Sequence, residues 1–134
     1  MESDLAQHDL SMSDYEILVL LSEATNRELR MSELAQSALI SKSRLSHRIK
    51  AMEKAGLVSR RVCLEDKRGS YAVMTDKGWK AITKAAPDHV ESIRGRFLDH
   101  LTTKDQEEIA RIFERVSEKL REQFSRQFNE DCDK

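Results

Sequence analysis

Two cysteines, one proline and four glycines are all that 134 residues contain of those types. Cys63 and Cys132 are too few for a disulfide framework, so a reducing, cytoplasmic setting is expected. No apolar run approaches the ~20 residues that a membrane-spanning helix needs, and membranes are excluded as partners. The amino-terminal MESDLAQHDL lacks the basic start and apolar block of a signal peptide. Internal repeats and low-complexity tracts are absent. So are a Gly-rich phosphate loop, closely spaced metal ligands and any set of nucleophile, base and orienter. The sequence therefore predicts no enzyme, no cofactor and no metal.

What the chain does have is charge and helical periodicity. Charged residues make up 35% and hydrophobic ones 39%, for a formal net charge of −1. Apolar residues recur at helical spacing, which suits one helix-rich domain with a real core. The small total hides a polarised chain. Met1 to Ile40 carries eight acidic and two basic residues, net −6. Ser41 to Gly69 carries nine basic and three acidic residues, net +6. Ser70 to Lys134 is close to balanced, with twelve basic and thirteen acidic. A cationic block of that kind is the footprint of a surface that meets a polyanion.

The pattern predicts the following elements. SDYEILVLLSEA opens with a Ser13–Glu16 capping box and continues as a helix with Ile17, Leu18, Leu20 and Leu21 inward. TNREL reads as a polar connection. MSELAQSA is a two-turn helix capped by Ser32, and Leu39 and Ile40 form a tight apolar link. Ser41 caps the next helix, Lys42 to Ala55, which Gly56 stops. LVSRRVC and SYAVMT are short β-rich runs joined by the loop LEDKRG, a hairpin. Thr75 caps a long helical segment to Leu101, with a kink or break at Pro87. A Thr103–Gln106 capping box opens the last helix. Helix, short helix, helix and hairpin in that order make a winged helix-turn-helix. The fold class is mainly α with a small β-hairpin. Its parts are a short segment 1–12, a winged helix-turn-helix 13–75 and a helical region 76–134.

The helix from Lys42 has a division of faces. With Leu45, Ile49 and Met52 inward, Ser43, His47, Lys50 and Lys54 face outward at 100° per residue, and Arg44 and Ser46 flank them. Small hydroxyls at Ser43 and Ser46 let the first turns approach base edges. Arg44 and His47 can donate to base acceptors. Lys42, Arg48, Lys50 and Lys54 can reach phosphates, and Arg60 and Arg61 on the hairpin extend that basic surface. At the hairpin tip, Lys67 and Arg68 suit a minor groove, with Asp66 holding the loop by an ion pair. Read alone, one basic amphipathic helix is an ordinary solvated face. The unbroken succession of a capped short helix, apolar turn, basic helix, glycine stop and basic hairpin favours DNA.

From about Leu10 to Arg121 the chain resembles the MarR family of bacterial transcription regulators. The resemblance rests on MSELAQSALISKSRLSHRIKAMEKAGLVSRR followed by EDKRGSYAVMTDKG. It implies a homodimer with one winged helix per subunit on a pseudo-palindromic operator, repressing nearby genes until a small-molecule effector releases it. By the family pattern Ser43, Arg44 and His47 read bases and Arg68 probes the minor groove. Two departures stand out. The family's long first helix is shortened or missing here, by nature or through a truncated start. Dimerisation then leans on Asp88 to Leu101 and Lys104 to Phe128, with Val90, Ile93, Phe97, Ile109, Ile112, Phe113, Val116, Leu120 and Phe124 as the apolar contacts. The reactive cysteine that the redox-sensing branch carries in that helix is also absent.

Three further candidates have plainer alternatives. Cys63, beside Arg60 and Arg61, is either a redox-sensitive thiol or a strand cysteine without a role. His89 and His100, with Asp88 and Asp99, are a conceivable metal set, but three helical turns separate them by ~16 Å, so surface residues are expected. Trp79 lines either a ligand pocket or the core. The competing reading for the whole chain is a helical protein-interaction module without specific DNA binding, docking through its last helix.

Overall fold

The computed structural model describes residues 2–64 and 69–132, with side chains for 4–64 and 69–123. The chain divides into two compact units, Met1–Val90 and Glu91–Lys134.

In the first unit, α1 (Glu2–Ala6) and α2 (Met12–Glu23) precede a 3-10 turn at Thr25–Arg27 and a strand, β1 (Glu28–Arg30). Two helices follow, α3 (Met31–Ser37) and α4 (Lys42–Lys54), then β2 (Val58–Val62), β3 (Ser70–Met74) and α5 (Asp76–Arg96), which runs on into the second unit. The strands form an antiparallel sheet in the order β1-β3-β2, with Arg30 opposite Tyr71 on one side and Arg61 opposite Tyr71 on the other. The hairpin expected from the sequence is present, and β1 is an addition to it. TNREL is therefore a turn and a strand rather than a plain connection. Its turn holds Asn26 and Arg27 at φ +57° and +55°.

The core draws on both the helices and the sheet of this unit. Ile17, Leu18 and Leu21 of α2, Leu34 and Ala35 of α3, and Leu45, Ile49 and Met52 of α4 are all at most 1% exposed. Leu5 of α1, Leu10, Leu57, Val58 of β2, Ala72 and Met74 of β3, and Ile82 and Ala85 of α5 complete it. The i, i+4, i+7 stripe of α4 is thus its buried stripe, as its periodicity predicts. Burial against this core also pushes the Tyr15 hydroxyl above its ordinary pKa.

Several helix starts differ from the sequence expectation. Ser11, not Ser13, caps α2, accepting from the Asp14 amide at 3.1 Å while Asp14 accepts from the Ser11 amide at 3.3 Å. A helix beginning at Met12 packs both Met12 and Tyr15 against the core, which selects the earlier serine. Ser32 does not cap α3: Arg30, still in β1, occupies the cap position, and its side chain makes no capping hydrogen bond to the helix. The strand ends where the helix begins and leaves no residue free for capping. α5 continues through Pro87 instead of breaking. Pro87 and Thr83, whose carbonyl the proline cannot serve, are both exposed, so water can satisfy the orphaned acceptor. Buried Ala85 and His89 flank the proline.

In the second unit a 3-10 turn at Leu98–His100 leads to α6 (Thr103–Cys132). Thr102, one residue before the expected cap, begins it. Asp105 accepts from the Thr102 amide at 2.9 Å and its hydroxyl at 2.6 Å, bonds that hold the carboxyl below its usual range. Gln106 instead donates to the Leu98 and Leu101 carbonyls. Along α6 Ile112, Phe113, Val116 and Leu120 are exposed, and Ile109 is half-buried.

Candidate nucleic-acid interface

Both ends of α4 are fixed locally. Ser41 Oγ accepts from the Arg44 amide at 3.2 Å, the expected N-cap. At the other end Gly56 takes φ +76°, and Lys77 Nζ donates to the Ala55 carbonyl at 2.7 Å. A cation there complements the negative end of the helix. The preceding turn is closed by the Ile40 amide donating to the Ala35 carbonyl at 3.1 Å, with Leu39 at φ +55°.

Between these ends the helix presents Lys42, Ser43, Arg44, His47, Lys50 and Lys54 as exposed residues, with Ser46 and Arg48 half-buried beside them. Among the described residues, Lys42, Arg44, Lys50 and Lys54 form no ion pair. One flank borders a groove of about 650 Å³ lined by Ser13, Ile40, Ser43, Arg44, His47, Arg48 and Ala51. There Arg48 Nη1 lies 3.5 Å from Asp14 Oδ1. The other flank meets β2. Arg60 Nη2 donates to the Ser46 carbonyl at 3.0 Å, and its Nε lies 3.3 Å from Glu53 Oε2.

Arg60 and Arg61 are neighbours in sequence, yet alternation along a strand sends them to opposite faces of the sheet. Arg61 bonds Glu28 of β1 at 2.7 Å and lies 4.4 Å from the centre of the Tyr71 ring. The structure therefore brings Arg60 to α4 and takes Arg61 away from it. The tip residues Asp66, Lys67 and Arg68 lie outside the described residues. So does the side chain of Phe124.

The other candidates are placed as follows. Cys63 is 3% exposed and accepts from Arg30 Nη2 at 3.3 Å. The guanidinium at the thiol thus comes from β1, an element the sequence pattern did not announce. Trp79 is 38% exposed, with the Arg27 guanidinium 3.9 Å above its ring. His89 is buried with its ring against Tyr15, centroids 4.6 Å apart, and belongs to the first unit, whereas His100 is exposed in the second. No group of three metal-ligating side chains occurs among the described residues. No helix is long and apolar enough to cross a membrane among them either. Val90 and Phe97 are exposed and Ile93 half-buried.

The partners of the arginines escaped the sequence reading. Asp14, Glu28 and Glu53 each oppose a basic residue of the 41–69 block. For Glu53 a signal existed: on α4 it falls on the same flank as Ser46, about 20° away.

A sequence model of the MarR family matches residues 10–70. The chain is 28% identical over 120 residues to the transcriptional repressor YetL of Bacillus subtilis, covering 87% of this chain and 72% of that one. Its fold superposes with TM-score 0.85 on AbsC, a MarR family transcriptional regulator from Streptomyces coelicolor, at 47% identity over 90% of this chain and 81% of that one. A second regulator of that organism, Sco3205 in complex with DNA, matches with TM-score 0.82 and 39% identity over 89% and 78% of the two chains. With that identity over nearly its whole length, the chain belongs to the MarR family of transcriptional regulators.

Proposed function

We propose that this protein is a sequence-specific DNA-binding transcription regulator, a dimeric repressor released by an effector, with α4 entering the major groove. The observation that carries this reading is the outward face of α4, where exposed cations without ion pairs among the described residues surround small hydroxyls and an imidazole. Ser43, Arg44, Ser46 and His47 face the bases. Lys42, Lys50 and Lys54 reach phosphates, and Arg48 does so from the rim of the groove. At the tip, Asp66 shapes the loop while Lys67 and Arg68 enter the minor groove. Val90, Ile93, Phe97, Ile109, Ile112, Phe113, Val116, Leu120 and Phe124 supply the dimer contacts. No residue set is assigned a catalytic role, and the cytoplasm is where such a regulator meets its DNA. Sco3205, at 39% identity, was crystallised with DNA, which supports the same partner here.

Selection of bound duplexes from a random pool tests this directly. The expected product is an inverted repeat with half-site centres roughly 34 Å apart. Its affinity should fall steeply with salt, each phosphate contact adding about 0.9 to the slope. Recovery of no common sequence, or equal affinity for selected and random duplexes at one salt concentration, would overturn the reading in favour of a non-specific binder. Little salt-dependent DNA affinity, and no loss on changing Arg44 to Ala, would favour the protein-interaction module.

A further inference from the structure

Arg60 sits in the basic block, and by composition alone it is one more phosphate ligand. Its surroundings point elsewhere. The guanidinium is turned back onto α4, where Nη2 donates to the Ser46 carbonyl at 3.0 Å and lies 3.4 Å from Ser46 Oγ. Its Nε faces Glu53 Oε2 at 3.3 Å, and both side chains of that pair are only 33% exposed. One planar fork therefore spans two residues of α4, seven positions apart and on the same flank. A single ammonium cannot reproduce that geometry.

The opposite flank of α4 has a matching contact, Arg48 to Asp14 of α2 at 3.5 Å. On a helical wheel Arg48 and Glu53 stand roughly 70° to either side of the buried stripe formed by Leu45, Ile49 and Met52. An apolar stripe resists lifting of a helix but resists rolling weakly, because side chains of similar size slide past one another. Two polar contacts on opposite flanks resist rolling. Partly exposed ion pairs contribute little to stability, so what these contacts contribute is orientation.

We propose that Arg60 is a specificity-determining positioning residue: it fixes the roll of α4 relative to the wing, and it does not contact DNA. The proposal rests on the reading of α4 as the DNA-reading helix. A roll of 10–20° moves a side-chain tip ~6 Å from the axis by about 1–2 Å. That is enough to break a base contact but not enough to lose a long lysine's phosphate. Discrimination between sequences should suffer while non-specific affinity persists.

The test uses the full chain, duplexes selected by the unaltered protein, and random duplexes of the same length. Arg60→Lys and Glu53→Gln are compared with the unaltered protein over a range of salt. Both substitutions should lower the ratio of selected to random affinity roughly tenfold, the scale of one impaired base contact. The salt slope should stay unchanged, and the Arg60→Lys, Glu53→Gln double variant should lose no more than either single one. Arg60→Lys with unaltered discrimination, or a substitution Arg60→Gln that lowers the slope by about 0.9 and weakens both duplexes equally, identifies a phosphate ligand and overturns the proposal. Loss of discrimination in Arg60→Lys but not in Glu53→Gln overturns it as well. If the unaltered protein selects no sequence, the reading of α4 fails first and the proposal with it.

Discussion

Gly78 is the position where one methyl group should do the most damage. It lies in the first turn of α5, buried, with its amide donating to Thr75 Oγ1 at 3.0 Å. A Cβ built there falls 2.2 Å from the Leu57 carbonyl oxygen, 3.2 Å from its carbon and 3.0 Å from Met74 Cγ. Met74 can shift, but the carbonyl is backbone and already accepts from the Thr75 amide at 3.1 Å. Relief to an ordinary 3.4 Å contact means a retreat of about 1.2 Å by the chain at Leu57 or by the start of α5. Overpacking of this kind costs about 1–3 kcal/mol, and straining the Thr75–Leu57 bond adds about 1 kcal/mol. Alanine's better helix propensity returns roughly 0.5–1 kcal/mol. The net expectation for Gly78→Ala is a destabilisation of about 1–3.5 kcal/mol, which for a unit of this size lowers Tm by roughly 5–25 °C.

Urea and thermal unfolding followed by circular dichroism would measure this, with the fluorescence of Trp79, the sole tryptophan, reporting on the same unit. Gly95→Ala is the internal control. It lies in the same helix, no described residue stands within 4 Å of its Cβ, and it should be neutral or stabilising by a few tenths of a kcal/mol. Because Leu57 joins Gly56, at the end of α4, to β2, the same displacement should also weaken DNA binding in the fraction that stays folded. A Gly78→Ala protein that unfolds within about 0.5 kcal/mol of the original would refute the steric reasoning.

Three other outcomes are expected. Ser41→Ala removes the bond to the Arg44 amide and should cost about 1 kcal/mol in urea unfolding; no measurable loss would mean the cap contributes nothing. Glu at both Phe113 and Val116, exposed apolar positions of α6, should turn a dimer into a monomer in sedimentation experiments and weaken operator binding; an unchanged dimer would place the interface elsewhere. Asp105 has its carboxyl held below the ordinary value by Thr102, so its contribution is present above the unfolded carboxylate range, near pH 4, and lost as pH falls through the folded value. Helicity should therefore decline on acid titration by a component that Asp105→Ala abolishes, and identical titrations of the two proteins would refute it.

The sequence announced α4 best because its local signals agree. Ser41 caps it, Leu45, Ile49 and Met52 face the core, and Gly56 ends it, all legible within sixteen residues. It announced β1 worst, because Glu28, Leu29 and Arg30 have neither a β-branched residue nor a run long enough to alternate. That strand exists only through pairing with β3, more than forty residues away. Caps were misplaced where two candidates lay close together, Ser11 against Ser13 and Thr102 against Thr103. The choice between them depends on which start buries Met12 and Tyr15, or on which side chain reaches the cap, and neither is local information. The roles of Arg60 and Arg61 were hidden for a similar reason. Strand alternation predicts that they diverge, but not that one meets Glu53 and the other Glu28.

These acidic partners also explain why a chain with net charge −1 can carry so basic a helix. Two of them, Asp14 and Glu28, come from the first forty residues, where acids are in excess, and each engages an arginine of the cationic block. Glu53 engages a third. Arg48, Arg60 and Arg61 thus have part of their charge offset locally, while Lys42, Arg44, Lys50 and Lys54 stay exposed without ion pairs among the described residues. Those four span twelve steps of helix, about 18 Å, a length over which duplex DNA presents roughly ten phosphates. Acids lying beyond ~8 Å are screened at physiological salt and detract little from that local field. Net charge therefore says little about the field at this surface, which the local excess of unpaired cations on α4 sets.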